Sequence, residues 1–409
     1  ENITLFSPND VPGLYDSFFA DQKKFKKLYE KFEKDDSIRK QQINARELFA
    51  MFMKERANTG RIYLQNVDHC NTHGAFDPSQ APIKQSNLCM EITLPTKPLY
   101  SVQDKEGEVA LCTLSAVNLG AIDSLDELED ITDIIVRSLD SLLDYQDYPL
   151  KSAEITSNNR RTLGIGVTNL AYYLAKNNAK YSDGSGNDLI HRTFEALQYF
   201  SLKASNEIAQ EFGPCPLFSE TQYAKGVMPI DSYKKDIDQF CNTELELDWD
   251  SLRKNIQATG LRNSTLTALM PCESSSQISN STNGIEPPRG FISVKQSKDG
   301  ILKQVVPEYE KLHKKYELLW DIKDNEGYLQ LCAIMQKFVD QSISTNTHYD
   351  PSQYDGNRVP MKLFLMDLLK AYKYGIKTLY YHTTRDGASD GQNTTAKGDD
   401  DCEDGVCKL

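Results

Sequence analysis

Predicted helices alternate with short apolar extended segments along most of this chain, and that order restricts the fold more than any other feature. The clearest helix begins at the capping box Ser124-Leu-Asp-Glu127 and carries an apolar stripe to Leu142. The other predicted helices cover residues 163–177, 188–212, 326–341 and 360–374. The predicted extended segments cover residues 61–67, 87–94, 108–114, 265–270 and 376–383. Alternation of this kind is typical of α/β proteins, and we expect that class.

The chain is expected to divide into three parts. Residues 1–58 are predicted to form a helical segment, because aromatic side chains recur there at mostly helical spacing. Residues 59–384 would form the main folded unit, in which 214–260 is predicted to be irregular and 291–306 to be a hairpin. Residues 385–409 contain almost no apolar side chains, so we expect a flexible tail.

The charge of the chain limits its partners. Its 46 lysine and arginine residues against 59 aspartate and glutamate residues give a net charge of −13 over 409 residues. A negative field disfavours binding to nucleic acid and to anionic membranes. No apolar run approaches the roughly 20 residues of a membrane span. We therefore expect neither nucleic acid nor a membrane as a partner.

The cysteines indicate a reducing compartment. Nine cysteines are an odd and low number for a secreted disulfide scaffold of this length. The sequence has no CxxC pair, no HExxH motif and no zinc-spaced Cys/His array, so we expect no metal site. These features favour a cytoplasmic protein whose thiols are mostly buried small hydrophobic groups. A cysteine is a functional candidate only where its surroundings are chemically distinctive.

The segment Ser86-Asn-Leu-Cys-Met-Glu91 provides such surroundings. If it is extended, alternation places Asn87, Cys89 and Glu91 on one face. An amide can hold a hydroxyl group, a thiol can act as a nucleophile or lose a hydrogen atom, and a carboxylate can accept a proton. A half-buried strand with a packed cysteine explains the same pattern without any chemistry.

Two other motifs are ambiguous by themselves. Cys112 lies in an apolar segment that is predicted to be extended, where a core role is the simpler interpretation. Tyr380 and Tyr381 are adjacent on a predicted strand, so they would point to opposite faces. One tyrosine in the core and one at the surface is the simpler interpretation there.

A serine-rich turn follows the extended segment 265–270. It contains Pro271, Glu273, Ser274 and Ser275, and a helix can begin within it. Free N–H groups at such a helix start, together with the hydroxyl groups, can bind a phosphate. Simple capping of the helix by serine is the alternative.

Cys402 and Cys407 lie in the acidic tail, with four residues between them that include a glycine. No core is expected there, so packing does not explain the two thiols. Their predicted exposure favours thiol–disulfide exchange with a partner, although acidic neighbours should raise the thiol pKa and slow the attack. An incidental or metal-scavenging pair is the alternative.

Taken together, these segments resemble the large, catalytic subunit of class I ribonucleotide reductases, most closely the aerobic bacterial and phage type. The stretches that carry the resemblance are 5–15, Ser86–Glu91, 161–166, 276–280, 283–290, Thr378–Tyr381 and the pair Cys402 and Cys407. The resemblance implies the C-terminal half of a ten-stranded α/β barrel, with a central finger loop near residues 86–94. The activity that it implies is reduction of ribonucleoside diphosphates to their 2′-deoxy forms.

The resemblance also implies roles for the candidate residues. Cys89 would become the thiyl radical that removes the 3′-hydrogen of the substrate. Glu91 would take the proton of the 3′-hydroxyl, and Asn87 would bind the sugar hydroxyls. Cys112 would be one of two thiols that deliver electrons and end as a disulfide.

Substrate binding would involve five residues around these groups, namely Ser86, Pro271, Glu273, Ser274 and Ser275. Ser274 stands where a threonine is commonest in the family, and Cys272 stands where a serine is commonest. The first change keeps the hydroxyl group, so phosphate contact is still expected.

Partner proteins follow from the same resemblance. Tyr380 and Tyr381 would relay a radical from the small subunit to Cys89. Cys402 and Cys407 would re-reduce the active-site disulfide and would themselves be reduced by thioredoxin or glutaredoxin. The chain would bind no cofactor of its own, since the radical comes from the metal-containing small subunit.

The family's complete large subunit also has an N-terminal half, and no segment of this chain matches it. That half carries the partner of Cys112 and the nucleotide-effector sites. The chain begins at Glu1 without a methionine, and we expect a C-terminal part produced by a split gene, by proteolysis or by deliberate truncation. Such a part would be inactive alone. The alternatives are a non-catalytic fragment that only binds the small subunit, and a general thiol oxidoreductase that uses the tail cysteines.

Overall fold

The computed structural model describes residues 2–297 and 300–385, and the backbone of two short strands near the C-terminus. The helices are α1 (Leu14–Ala20), α2 (Gln22–Lys34), α3 (Ala45–Thr59), α4 (Val67–Thr72), α5 (Glu127–Tyr145), α6 (Lys151–Arg160), α7 (Leu170–Lys176), α8 (Asn187–Phe212), α9 (Trp249–Thr259), α10 (Glu273–Ile278), α11 (Tyr309–Leu312), α12 (Glu326–Gln336) and α13 (Met361–Lys373). The strands are β1 (Asn2–Phe6), β2 (Lys40–Asn44), β3 (Leu64–Gln65), β4 (Leu114–Asn118), β5 (Gly164–Thr168), β6 (Ile292–Ser297), β7 (Gly300–Val305), β8 (Thr347–Tyr349), β9 (Thr378–Leu379), β10 (His382–Thr384), β11 (Cys402–Glu403) and β12 (Val406–Cys407).

Four chain segments lie side by side and parallel, and the candidate site is built against them. β4 pairs with β5 along the full length of both strands. Single bridges continue the parallel pairing from Ile165 to Thr267 and from Leu269 to Ile343. Helices α5 and α6 connect β4 to β5, and α7 to α9 precede the Thr267 segment. Parallel segments joined through helices confirm the predicted α/β class.

Strand β5 corrects the prediction of a helix over 163–177, of which only α7 is helical. All of β5 is buried, and its two glycines leave no room for side chains. A Cβ atom on Gly164 would lie 2.6 Å from Cδ2 of Leu114, and one on Gly166 would lie 2.7 Å from the carbonyl oxygen of Ala268. The Gly-x-Gly pattern therefore reflects the close approach of neighbouring segments.

The main core lies between the parallel segments and the long helices. α8 packs against α5 and α12, and Leu139, Leu197 and Leu331 are among the buried side chains of these three helices. The helix predicted over 188–212 is confirmed by α8 to within one residue. Burial of such an apolar face contributes roughly 25 cal/mol for each Å² removed from water, so this packing stabilises the support on which the parallel segments rest.

The N-terminal region is only partly helical, so the prediction for residues 1–58 is incomplete. Helices α1 to α3 are present, but β1 and β2 form an antiparallel ladder from Asn2–Asn44 to Phe6–Lys40. A small separate core that includes Leu14 and Phe32 holds this region together. β2 is polar and has no apolar alternation, so its strand conformation comes from pairing with β1 and has no local signal in the sequence.

Several predicted boundaries also change. The irregular stretch predicted over 214–260 contains α9, which is capped by Asp248 accepting from the N–H of Ser251 at 3.0 Å. The helix predicted over 326–341 ends at Gln336. Helix α13 and the hairpin of β6 and β7 agree with their predictions. No helix among the described residues is long and apolar enough to cross a membrane.

The predicted extended segments are shorter than expected. Only β3 forms within 61–67, and the strand expected over 108–114 begins at Leu114. The strand expected over 376–383 is divided into β9 and β10, with Tyr380 and Tyr381 between them. β9 pairs antiparallel with β3, whereas β10 pairs parallel with β8.

Candidate active site

Residues 87–90 form a tight turn that presents Cys89, and we call residues 86–91 the thiol turn. The N–H of Met90 donates to the carbonyl oxygen of Asn87 at 3.2 Å, and Met90 has a φ of 69°. A left-handed backbone is unfavourable for a residue with a side chain and persists where the surroundings impose it. The extended conformation predicted for 87–94 is therefore wrong here, and alternation along a strand does not bring the three polar side chains together.

The turn nevertheless brings the predicted amide and carboxylate into contact. Asn87 Nδ2 donates to Glu91 Oε1 at 2.8 Å, and Asn87 Oδ1 accepts from the N–H of Ile92 at 3.1 Å. Ser86 Oγ donates to the carbonyl oxygen of Ile92 at 2.8 Å. Asn87 thus orients Glu91, and Ser86 closes the base of the turn.

Glu91 is shielded from water, with 2% of its surface exposed. Burial raises the pKa of the Glu91 carboxyl, while hydrogen bonds from Asn87 and Ser344 oppose that shift. A carboxylate with a raised pKa is a better proton acceptor than an ordinary surface glutamate. The arrangement suits a general base, as predicted from the residue type.

Cys89 contacts a cluster of three tyrosines. Tyr380 Oη donates to Cys89 Sγ at 3.8 Å. The rings of Tyr380 and Tyr381 have centroids 4.1 Å apart, and Tyr63 lies 4.7 Å from Tyr380 and 5.4 Å from Tyr381. The prediction of opposite faces for the tyrosine pair is wrong, because the strand is interrupted at these two residues. The result is a continuous path from the thiol through two phenols.

Tyr63 was not predicted from the sequence as part of the site. Its hydroxyl forms hydrogen bonds with Tyr381 and Tyr380, and burial is the main cause that raises its pKa. Burial, followed by the hydrogen bond to Tyr381, also raises the pKa of Tyr380. Tyr63 and Tyr380 are therefore protonated at neutral pH. Tyr63 is 317 positions from Tyr380, and no local pattern relates the two residues.

The two candidate thiols of the described chain are protonated as well. Burial and then the Glu91 carboxylate raise the pKa of the Cys89 thiol. Cys112 is exposed on one side, yet desolvation by the protein atoms around it, followed by Glu91 and Cys89, raises its pKa to about 12. A nucleophilic cysteine needs a lowered pKa, so these thiols are suited to losing a hydrogen atom and poorly suited to nucleophilic attack.

The serine-rich segment forms the start of α10, and we call residues 271–276 the serine turn. Pro271, Glu273, Ser274 and Ser275 are exposed, while Ser276 is buried. The turn lies near the thiol turn, since the Glu91 charge contributes to the raised pKa of Cys272. It offers exposed hydroxyl groups, as the phosphate hypothesis requires.

The side chain of Asn283 forms two hydrogen bonds to the serine turn. Its Oδ1 accepts from the N–H of Cys272 at 2.8 Å, and its Nδ2 donates to Glu273 Oε2 at 2.5 Å.

The side chains of Cys402 and Cys407 lie outside the described residues, so their redox role stays a prediction. Within the described ranges, no group of three or more His, Cys, Asp and Glu side chains could hold a metal ion.

Comparisons with known proteins identify the relatives of this chain. A family model described as ribonucleotide reductase, barrel domain, matches residues 1–382. The alpha subunit of the ribonucleoside-diphosphate reductase of Haemophilus influenzae is 66% identical over 407 residues, which are 100% of this chain and 53% of that protein. The alpha subunit of ribonucleoside-diphosphate reductase 1 of Escherichia coli is 65% identical, and the alpha subunit of the phage T4 ribonucleoside-diphosphate reductase is 49% identical. In each case 100% of this chain and 54% of the relative are covered. The chain thus spans about half the length of the curated relatives that it matches.

Proposed function

The chain belongs to the ribonucleotide reductase barrel-domain family, and from that premise we propose that it is the C-terminal catalytic part of a reductase that converts ribonucleoside diphosphates to 2′-deoxyribonucleoside diphosphates. The observation that carries the proposal is the contact between the Cys89 thiol and the Tyr380 hydroxyl at 3.8 Å. The buried Glu91 carboxylate stands in the same turn. A thiol that faces both a phenol and a base suits hydrogen-atom abstraction coupled to proton removal.

The proposed reaction uses each group once. The Tyr380 phenoxyl radical takes the hydrogen atom of the Cys89 thiol, and the resulting thiyl radical takes the 3′-hydrogen of the ribose. Glu91 accepts the proton of the 3′-hydroxyl, while Asn87 holds the sugar. The 2′-hydroxyl leaves as water, and Cys112 and a second thiol supply two electrons and two hydrogens as they become a disulfide. Cys89 then returns the hydrogen atom to the 3′-carbon and Glu91 returns the proton to the 3′-oxygen, so the thiyl radical forms again and takes back the hydrogen atom of Tyr380.

Several partners are part of the proposal. The second thiol and the nucleotide-effector sites would lie on an N-terminal part of the large subunit, which the covered share of the relatives leaves room for. The radical would come from a metal-containing small subunit through Tyr381. Thioredoxin or glutaredoxin would restore the tail pair Cys402 and Cys407, which in turn would reduce the disulfide of Cys112.

The decisive test measures dCDP formed from CDP in the presence of thioredoxin. The chain alone is compared with the chain mixed with an N-terminal complement and the small subunit. We expect turnover only in the full mixture, and no turnover with Cys89→Ser, because an alcohol does not replace the thiol as a hydrogen-atom donor. Cys241→Ser is the matched control, since the Cys241 thiol bonds only to Asn187 and Thr243 among the described residues.

The tail is tested with two reductants. Cys402→Ser should lose turnover supported by thioredoxin and keep turnover supported by dithiothreitol, which reaches the active-site disulfide directly. Loss with both reductants contradicts the shuttle role. If the full mixture associates without making dCDP, the chain is a binding fragment, and the proposal is wrong.

A further inference from the structure

One segment of the chain contacts both the thiol turn and the tyrosine pair, and we call it the bridging segment, Gln341–Thr347. On one side, the N–H of Ser342 donates to the carbonyl oxygen of Glu91 at 2.9 Å. On the other side, the N–H of Tyr380 donates to the carbonyl oxygen of Thr345 at 2.7 Å. The separation of the thiol from the phenol is therefore set by a third element to which both are bonded.

Ser344 is the residue of this segment whose side chain reaches the reacting groups. Its Oγ donates to the carbonyl oxygen of Cys89 at 2.6 Å and lies 3.3 Å from Glu91 Oε2. Ser344 is buried, with 6% of its surface exposed. It touches the residues on both sides of Met90, the position with the left-handed backbone.

We propose, on the basis of the function proposed above, that Ser344 is a positioning residue that holds the Cys89 main chain and orients the Glu91 carboxylate for proton transfer. Its role is separate from that of Asn87, which bonds to the other carboxylate oxygen, Oε1. With both oxygens held, the carboxylate plane cannot rotate freely beside the thiol. A backbone strained at Met90 persists only under such constraint.

A hydroxyl group suits this position in both protonation states of Glu91. While Glu91 is ionised, the single proton of Ser344 is shared between Cys89 O at 2.6 Å and Oε2 at 3.3 Å. Once Glu91 has taken a proton, a new O–H on Oε2 can donate to Ser344 Oγ, while Ser344 keeps its own bond to Cys89 O. The thiol backbone is thus held throughout the proton transfer.

The titratable groups of the described chain that are affected by the Glu91 charge include three thiols. Cys89, Cys112 and Cys272 lie within electrostatic reach of its carboxylate. All three thiols have raised pKa values and are uncharged at neutral pH. Removal of the Ser344 hydroxyl should therefore act on Glu91 through a lost hydrogen bond to its charged form, which raises its pKa.

The test compares Ser344→Ala, Ser344→Thr and Ser342→Ala in the reconstituted mixture. For Ser344→Ala we expect kcat at pH 7 to fall about tenfold and the acid limb of the kcat profile to move up by about one pH unit, with KM for CDP unchanged. Ser344→Thr keeps the hydroxyl group, so its acid limb should lie at the same pH as that of the wild type. Ser342→Ala is the matched control, because that hydroxyl bonds to Thr378 Oγ1 at 2.6 Å, away from the carboxylate.

A second measurement does not depend on turnover. The carboxyl carbon of Glu91 is titrated by ¹³C NMR in the isolated, isotope-labelled chain, with Glu91→Gln identifying its signal. The titration midpoint should rise in Ser344→Ala and return in Ser344→Thr. An unchanged midpoint in Ser344→Ala overturns the inference, whatever the activity. If even the wild-type mixture makes no dCDP, the proposed function fails, and the titration still decides the placement of Ser344.

Discussion

The thiol turn and the serine turn lie near each other, but they treat their polar groups differently. In the thiol turn, Asn87 and Glu91 bond to each other and Glu91 is buried. In the serine turn, Glu273, Ser274 and Ser275 are exposed. The thiol turn has its polar side chains fixed before any substrate arrives, and the serine turn offers the hydroxyl groups of Ser274 and Ser275 to solvent.

This difference separates two tasks. A group that takes part in bond breaking gains from being held in place, because no reorganisation is then required in the transition state. A group that binds a phosphate only needs to reach the ligand, and its exposed donors lose little when water leaves. The thiol turn is therefore expected to influence kcat, and the serine turn KM.

The largest effect is expected for Glu91→Gln. Loss of a general base costs about 10²- to 10⁴-fold in kcat, and the acid limb of the pH profile should disappear with it. That limb exists because only ionised Glu91 accepts a proton, and its raised pKa places the limb at a higher pH than an ordinary glutamate would. The matched control is Glu273→Gln, which should keep the limb. If the acid limb of the pH profile persists in Glu91→Gln, the general base is another residue.

The same variant should not weaken the fold. The pKa of Glu91 is higher in the folded than in the unfolded chain, because burial disfavours its charge. Its contribution to stability is therefore present at low pH and is lost as the pH rises through the folded value. Glu91→Gln should unfold at the same or a higher urea concentration than the wild type at pH 7. A clearly lower urea concentration at the midpoint would show that the carboxylate stabilises the turn.

Asn87→Ala tests the fixed side of the comparison through stability. It removes the hydrogen bond to Glu91 and leaves the N–H of Ile92 without its acceptor, which should lower the free energy of unfolding by about 1–3 kcal/mol. Urea unfolding of the isolated chain measures this loss. Ser274→Ala should change it by less than about 0.5 kcal/mol, because exposed side chains contribute little. Equal losses in the two variants would remove the distinction between the turns.

Ser274→Ala gives the smallest effect on turnover. If the Ser274 hydroxyl binds the substrate phosphate, its loss should raise KM for CDP about tenfold and leave kcat unchanged. This result is expected because the contact would be equally strong in the ground state and the transition state. Ser279→Ala at the other end of α10 is the control, because its Oγ donates to the carbonyl oxygen of Ser275 at 2.9 Å. A fall in kcat without a change in KM would assign Ser274 to the chemistry.

The sequence was informative about which residues meet and less informative about how they meet. The alternation rule grouped Asn87, Cys89 and Glu91, yet the structure joins Asn87 to Glu91 through a turn with Met90 in a left-handed conformation. That conformation is imposed by bonds from residues about 250 positions away, such as Ser344. Local sequence patterns carry no information on contacts between distant residues. For the same reason, they do not indicate that Tyr63 belongs to the site.

The fold shows the same limit. Helices α8 and α13 were predicted well because each carries its own apolar stripe. β5 was predicted as helix, since its glycines have meaning only beside Leu114 and Ala268. Short segments whose conformation depends on a neighbour are the ones that sequence periodicity describes poorly.

The raised pKa values of the thiols should also slow chemical damage to the site. Electrophiles and peroxides react with the thiolate, and a thiol with a pKa of about 12 is ionised in only about one molecule in 10⁵ at pH 7. Cys112 can therefore be open to solvent in this chain and still resist alkylation and oxidation to sulfenic acid. The crowding that keeps a hydrogen atom on the sulfur would also serve as chemical protection for a cysteine that the proposed reaction uses many times.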